Sequence, residues 1–157
     1  MNKNFYICIV NKIIFFNDYP SLNLRQVDLL DWIYECVLEK GAKIKRLGVN
    51  FITEHKMLDL NKKHMKHDTH TDILTFSYKD HLKIEAEIFI CFERALENSK
   101  KYSVTIDNEI LRLISHGLLH ALGVRDNTQN LREHMTKEED NFIKKFHVKH
   151  TKGEKGI

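Results

Sequence analysis

Two histidines four residues apart, followed by a glycine and an aspartate, form the most informative segment of this chain. Residues 116–126 read His-Gly-Leu-Leu-His-Ala-Leu-Gly-Val-Arg-Asp. If the segment is helical, His116 and His120 lie one turn apart on the same face, where both imidazoles can reach one cation. Gly123 suits the left-handed conformation that ends many helices, and the turn that follows could bring Asp126 to the same cation.

Two imidazoles and one carboxylate are a ligand set typical of catalytic zinc. Structural zinc sites are usually closed by four protein ligands, whereas catalytic sites leave one position open. The sequence therefore predicts one zinc ion per chain, held by His116, His120 and Asp126. The alternative is a buried helix with hydrogen-bonded histidines and a glycine that only ends the helix. Because the full pattern is much rarer by chance than a His-x-x-x-His pair, the metal site is favoured.

The same spacing of ligands occurs in metzincin proteases, where the residue after the first histidine is a glutamate that acts as general base. Gly117 occupies that position in this chain. Since no other group in the motif can take a proton from the attacking water, the segment does not support peptide hydrolysis.

The motif resembles that of the YbeY family, bacterial rRNA maturation factors with the pattern His-Gly-x-Leu-His-x-x-Gly-Tyr-Asp-His. Five residues match it: His116, Gly117, Leu119, His120 and Gly123. Three later residues depart from it: Val124 for the tyrosine, Arg125 for the aspartate and Asp126 for the third histidine. The last change keeps a side chain that can bind a metal, and it makes the site harder and more negative by one charge.

Further similarity to the family extends over about residues 44–140. Leu60-Asn61 and residues 71–76, Thr-Asp-Ile-Leu-Thr-Phe, are similar to the family's Leu-Asn and Thr-Asp-Val-Leu-Ser-Phe signatures. Glu87-Ile88 lies where the family has Gly-Asp-Ile, and Glu109 matches an acidic position of the family. The family also has an arginine after Leu-Asn that acts on the substrate phosphate, and Met65 occupies this position here.

The resemblance implies an endoribonuclease that cleaves single-stranded RNA and matures rRNA, with rRNA precursors and the ribosome as partners. The implied chemistry is attack on phosphorus by water that zinc activates, while the ion offsets charge on the phosphate oxygens. The residue that deprotonates this water stays open. Two alternatives also stay open: a metal-dependent hydrolase of another substrate, and a ribosome-assembly factor with a structural metal and negligible hydrolysis.

An acidic residue on the metal-binding helix could support the first ligand. Glu109 lies about two turns before His116, on roughly the same face. It is expected either to accept a hydrogen bond from the second ring nitrogen of His116 or to pair with Arg112. The sequence leaves both partners open.

A basic segment lies between the Leu-Asn and Thr-Asp signatures. We expect its lysines, Lys62, Lys63 and Lys66, to contact RNA phosphates in place of the missing arginine. The alternative is that they belong to an ordinary solvent-exposed surface. In the same segment, His67 and His70 are second-choice candidates for metal ligands.

Size and composition predict a single domain in the cytoplasm. The chain has 157 residues, of which 42% are hydrophobic, so it can bury a core without disulfides. Its three cysteines are scattered and odd in number, which indicates reduced thiols: Cys8, Cys36 and Cys91. No apolar run is long enough to span a bilayer. A net charge of +3 does not by itself identify an RNA-binding protein.

The hydrophobic pattern predicts an α+β fold, with a small mixed sheet that has one antiparallel edge hairpin. About five helices pack against it, one of them an active helix like that of zinc hydrolases. The predicted strands are residues 5–16, 43–51, 72–78 and 84–92, the first of which could be a hairpin. The predicted helices are residues 24–39, 54–64, 93–102, 106–122 and a last amphipathic segment. We expect one endoribonuclease domain over residues 1–148 and a basic, disordered tail over residues 149–157.

Overall fold

The computed structural model describes residues 12–16, 22–65, 71–78 and 80–154. Over these residues the chain forms four strands and five helices, which are, in order, β1 Ile13–Phe16, α1 Gln26–Glu39, β2 Lys43–Ile52, α2 Glu54–Met65, β3 Ile73–Ser77, β4 Lys83–Cys91, α3 Phe92–Lys101, α4 Ile106–Ala121 and α5 Gln129–Glu154. The predicted α+β class is confirmed. Residues 5–11 of the first predicted strand, which spans 5–16, lie outside the described residues, as do Lys66, His67 and His70.

The sheet has the strand order β1-β2-β4-β3. Strands β1, β2 and β4 are parallel, and β3 pairs antiparallel with β4. The expected mixed sheet with an antiparallel hairpin at its edge is therefore confirmed. This topology leaves β3 as an edge strand, beside the helix that carries the two histidines.

One face of the sheet packs on the helices to form the core. Along β4 the buried side chains alternate with partly exposed ones, as expected for a strand with one face in the core: Ile84, Ala86, Ile88 and Ile90 are buried. Helix α4 packs against β3, β4, α3 and α5. Most of its apolar residues are buried: Ile110, Leu111, Ile114, Leu118 and Leu119. The helix that carries the two histidines is thus largely buried in the described part of the fold.

Capping groups at both ends of α4 determine where it begins and ends. At its start the Thr105 hydroxyl accepts a hydrogen bond from the Asn108 backbone N–H at 3.1 Å. At its end Gly123 has φ +90°, a conformation that favours glycine. The Val124 N–H then donates to the Leu119 carbonyl at 2.9 Å, which closes the turn. The predicted role of Gly123 at the end of this helix is confirmed.

Helix α5 continues through Glu154, whereas the sequence predicts a disordered tail from residue 149. Acidic residues of α1 account for the difference, because they pair with basic residues on this part of α5. Lys149 pairs with Asp31 and Glu35, and His150 lies 3.6 Å from Asp28. The single domain over residues 1–148 stays a prediction. None of the helices in the described part of the chain is both long and apolar enough to cross a membrane.

Candidate metal centre

His116 and His120 extend from consecutive turns of α4 toward the edge strand. Their rings are nearly perpendicular, with centroids 4.5 Å apart, and their Nε2 atoms are separated by 3.0 Å. The helical spacing predicted this arrangement, and the structure has it.

The turn after α4 brings Asp126 to the two imidazoles. Its Oδ2 atom lies 3.3 Å from His120 Nε2 and 3.6 Å from His116 Nε2. The side chains of His116, His120 and Asp126 are 25%, 32% and 37% exposed, so solvent or a substrate can reach the group. All three residues that the sequence proposes as ligands therefore lie together at an accessible position.

The second nitrogen of each ring contacts a group that can only accept a hydrogen bond. His120 Nδ1 lies 3.1 Å from the Val124 carbonyl oxygen, and His116 Nδ1 lies 2.8 Å from Glu139 Oε1. Each Nδ1 atom therefore carries the proton, which leaves the Nε2 atom of a neutral ring with a free electron pair. Two imidazole lone pairs and a carboxylate oxygen thus converge on one point.

This group of electron-pair donors fits a tetrahedral zinc ion. Zinc bonds of about 2.0–2.1 Å at tetrahedral angles separate neighbouring ligand atoms by about 3.3 Å. The three separations between Nε2 and Oδ2 atoms here are 3.0, 3.3 and 3.6 Å. With three protein ligands, one tetrahedral position would stay open, as in catalytic zinc sites.

The acidic partner of His116 is Glu139, which the sequence analysis did not identify. Glu139 lies on α5 and is buried, and its other oxygen accepts a hydrogen bond from Arg112 Nη1 at 2.8 Å. Arg112 also donates to Asp140 at 2.7 Å. One signal was present in the sequence, because Glu139 is four residues after Met135 and three before Phe142, on the apolar stripe of α5.

Glu109 makes neither of the contacts expected for it. Its hydrogen-bond partner is Asn98, whose amide donates to Glu109 Oε1 at 3.3 Å and to Asp72 Oδ2 at 2.9 Å. Burial, followed by the negative charge of Asp72, raises the pKa of Glu109. Glu139 from α5 instead makes both of these contacts, because its two oxygens accept hydrogen bonds from the His116 ring and from Arg112.

Burial and the neighbouring charges shift the pKa of His116 in opposite directions. Burial lowers the pKa of His116, but the hydrogen bond and charge of Glu139 and the charge of Asp126 outweigh burial and raise it. The site therefore attracts a positive charge, whether it is a proton or a metal ion.

Gly117 lies at a close approach between α4 and Ile88 of β4. A Cβ atom at this residue would lie 2.8 Å from Ile88 Cδ1 and 3.1 Å from its Cγ atoms. Both residues are buried, so a larger side chain at residue 117 would require the Ile88 side chain to shift within the core. This packing gives a physical reason why the glutamate of metalloproteases is missing between the two histidines.

A cavity of about 360 Å³ lies between β3 and the two histidines. Its lining consists of Ile73–Ser77, His116 and His120. A second cavity of about 460 Å³ shares Ile73 and His116 with the first and extends toward Tyr102 and Glu109. The candidate metal centre therefore lies on a continuous surface depression beside the edge strand.

The end of α2 approaches the same edge strand. Its Lys62 and Lys63 are exposed, and the ring of the next residue, His64, lies 5.3 Å from the ring of Phe76 in β3. Phe76 also lines the cavity beside the histidines. The two described lysines of the predicted RNA-binding set do not line either cavity, and they directly precede the histidine that contacts Phe76.

Comparison with known proteins agrees with the motif and the fold. The family description of endoribonuclease YbeY matches residues 19–147, and this chain belongs to the YbeY family. It is 34% identical to endoribonuclease YbeY of Amoebophilus asiaticus, over 73% of this chain and 79% of that protein. It is 29% identical to the Flavobacterium psychrophilum protein of that name, over 87% of this chain and 98% of the relative.

The fold is similar to that of a solved structure. The solution structure of a Thermotoga maritima protein superposes with a TM-score of 0.67, covering 90% of this chain and 93% of the other. The two sequences are 21% identical, so this likeness bears on the fold alone.

Proposed function

We propose that this chain is a zinc-dependent endoribonuclease that cleaves single-stranded RNA and acts in rRNA maturation, with His116, His120 and Asp126 as the zinc ligands. The observation that carries the proposal is the convergence of two Nε2 lone pairs and one carboxylate oxygen at mutual distances of 3.0–3.6 Å. Membership in the YbeY family supports RNA cleavage as the reaction of this centre, because the family is named for endoribonuclease activity.

The charge of the centre suits a phosphodiester substrate. Two neutral imidazoles and one carboxylate would leave a bound Zn²⁺ with a net charge of about +1. When bound, zinc lowers the pKa of coordinated water and offsets negative charge on phosphate oxygens. His116 and His120 keep their Nε2 atoms directed at this point through the acceptors on their Nδ1 atoms. The protein thus holds the ion in a fixed position at the cleft, and the ion supplies the positive charge.

The cleft beside β3 is the proposed path of the RNA. Its lining is formed by the edge strand and the two histidines, and it continues past His116 toward Tyr102 and Glu109. Lys62 and Lys63 at the end of α2, together with Lys66, would attract phosphates flanking the cleaved bond. Because Arg112 is paired with Glu139 and Asp140, we do not assign it to the substrate.

The cellular context follows from the same proposal. A chain that matures rRNA would meet rRNA precursors and the ribosome, and its place of action would be the cytoplasm. Cells in which His120→Ala replaces the wild-type chain should accumulate unprocessed rRNA ends, which primer extension would measure. Normal rRNA ends in these cells would contradict the role in maturation without bearing on zinc binding.

RNA cleavage tests the activity directly. A labelled RNA that contains both single-stranded and duplex segments is incubated with wild-type protein, with and without a zinc chelator. We expect cuts confined to the single-stranded segments and abolished by the chelator and by His120→Ala. His55→Ala serves as the matched control, because His55 is a histidine with an 85% exposed side chain on α2. Equal cleavage by wild type and His120→Ala would overturn the proposed function.

A further inference from the structure

We propose that Glu139 is a positioning residue that selects the metal-binding tautomer of His116 and thereby sets the affinity of the site for zinc. The inference rests on the proposed function, since it concerns the same metal centre. It assigns a role to a side chain of α5, a helix that contributes none of the three proposed ligands.

The geometry around Glu139 leaves it two contacts, one for each oxygen. Oε1 lies 2.8 Å from His116 Nδ1, and Oε2 accepts a hydrogen bond from Arg112 Nη1 at 2.8 Å. Glu139 is 6% exposed, so water does not compete effectively for these positions. A buried carboxylate without such partners would carry a large desolvation cost, and here both oxygens are satisfied.

The chemistry of a carboxylate makes this contact selective. An ionised carboxylate only accepts hydrogen bonds, so His116 must place its proton on Nδ1 and keep the lone pair on Nε2. Nε2 is the atom that faces His120 and Asp126. With the opposite tautomer the Nε2 atom would carry a proton, and His116 could not bind a metal there.

Arg112 completes the arrangement by holding Glu139 in place. A guanidinium has only donors, so its contact with Oε2 leaves Oε1 as the acceptor for His116. The order of contacts is therefore Arg112, then Glu139, then His116.

His120 is oriented in a different way. Its Nδ1 partner is the backbone carbonyl of Val124, in the turn that Gly123 permits. No side-chain substitution on α5 removes that acceptor. A change at Glu139 should therefore affect one ligand and leave the other as an internal reference.

Glu139→Gln is the sharpest test, because glutamine has nearly the same shape. Its amide can either accept from or donate to His116 Nδ1, so the variant loses the selection of tautomer. We expect zinc affinity, measured by competition with a chromogenic chelator, to fall by about 10- to 100-fold. Glu138→Gln is the matched control. It makes the same change at the neighbouring residue, which pairs with Lys40 just after α1, and its zinc affinity should equal that of the wild type.

A second measurement separates positioning from a general loss of structure. Nitrogen chemical shifts of the histidine rings are recorded by NMR in metal-free protein, at a pH where both rings are neutral. The wild type should show the Nδ1–H tautomer at His116 and His120. Glu139→Gln should show a fraction of Nε2–H at His116 only, with the His120 signals unchanged.

The two readouts give distinct outcomes. Wild-type zinc affinity in Glu139→Gln, or an unchanged His116 tautomer, would overturn the inference. If the wild type itself binds no zinc, the proposed function fails instead, and the ring tautomers of the metal-free protein still decide whether Glu139 positions His116.

Discussion

The Nε2 atoms of His116 and His120 lie 3.0 Å apart, and each ring has a hydrogen-bond acceptor on its Nδ1 atom. Two neutral rings held in this way direct their lone pairs at each other, with the carboxylate of Asp126 beside them. Such an arrangement is stabilised by a cation between the rings. A proton and a metal ion therefore compete for the same position.

This competition predicts that rising pH lowers the stability of the metal-free protein and raises the affinity of the protein for zinc. The pKa of His116 is raised above 6.5 in the folded chain, so its protonated form stabilises the fold. That stabilisation is complete below pH 6.5 and is lost as the pH rises through the raised pKa. Zinc affinity should increase over the same range, because zinc requires the neutral ring.

Denaturant unfolding of chelator-treated protein at a series of pH values measures the first effect. The free energy of unfolding of the wild type should fall with rising pH across this range, relative to His116→Gln. A parallel pH dependence in the two proteins would contradict the assigned charge interactions. Zinc titrations at the same pH values measure the second effect, and an affinity that decreases with pH would contradict it.

The contact between Gly117 and Ile88 predicts a cost for any larger residue between the two histidines. Because a Cβ atom would lie 2.8 Å from Ile88 Cδ1, Gly117→Ala should lower the free energy of unfolding by about 1–3 kcal/mol. Denaturant unfolding measures this loss. A double-mutant cycle with Ile88→Ala provides the control, since removing the Ile88 side chain should reduce the cost of Gly117→Ala. Strictly additive effects would place the strain elsewhere.

Much of the fold follows from local signals in the sequence. The pattern of buried residues predicts the mixed sheet and the β3–β4 hairpin, and Thr105 and Gly123 mark the two ends of α4 within one residue. These signals are local because hydrophobic periodicity and capping depend on residues a few positions apart. The three candidate ligands lie within eleven residues, so their proximity could be predicted for the same reason.

Contacts between distant segments could not be predicted in this way. Glu139 is 23 residues from His116, and only the packing of α5 on α4 brings them together. The helical end of α5 likewise depends on its pairing with acidic residues of α1. A charged residue on an apolar stripe, such as Glu139, indicates that a buried partner exists but does not identify that partner.

The basic end of α2 predicts a salt-dependent contribution to RNA binding. Replacing Lys62, Lys63 and Lys66 with Gln should weaken binding of single-stranded RNA and reduce the salt slope by about 2, if each lysine neutralises one phosphate. Zinc content should not change. Binding assays at several salt concentrations measure the slope, and Gln at three exposed lysines of other helices, Lys100, Lys137 and Lys144, is the control. An unchanged slope in the Lys62, Lys63 and Lys66 variant would place the RNA elsewhere.

Asp126 is the ligand position at which this chain departs from the family motif. Asp126→His restores the family's third histidine, and we expect it to retain zinc because imidazole suits this ion. Asp126→Ala should bind zinc more weakly than either, since only two protein ligands remain. Chelator competition compares the three proteins. Equal losses in the histidine and alanine variants would show that residue 126 does not contact the metal.

Elemental analysis of the purified protein tests the central claim most directly. The wild type should carry about one zinc ion per chain, and His116→Ala and His120→Ala should each carry almost none, because two protein ligands cannot retain the ion during purification. His55→Ala, which changes an exposed histidine of α2, should match the wild type. Equal zinc content in the wild type, His116→Ala and His120→Ala would contradict the assignment of this group as the metal centre.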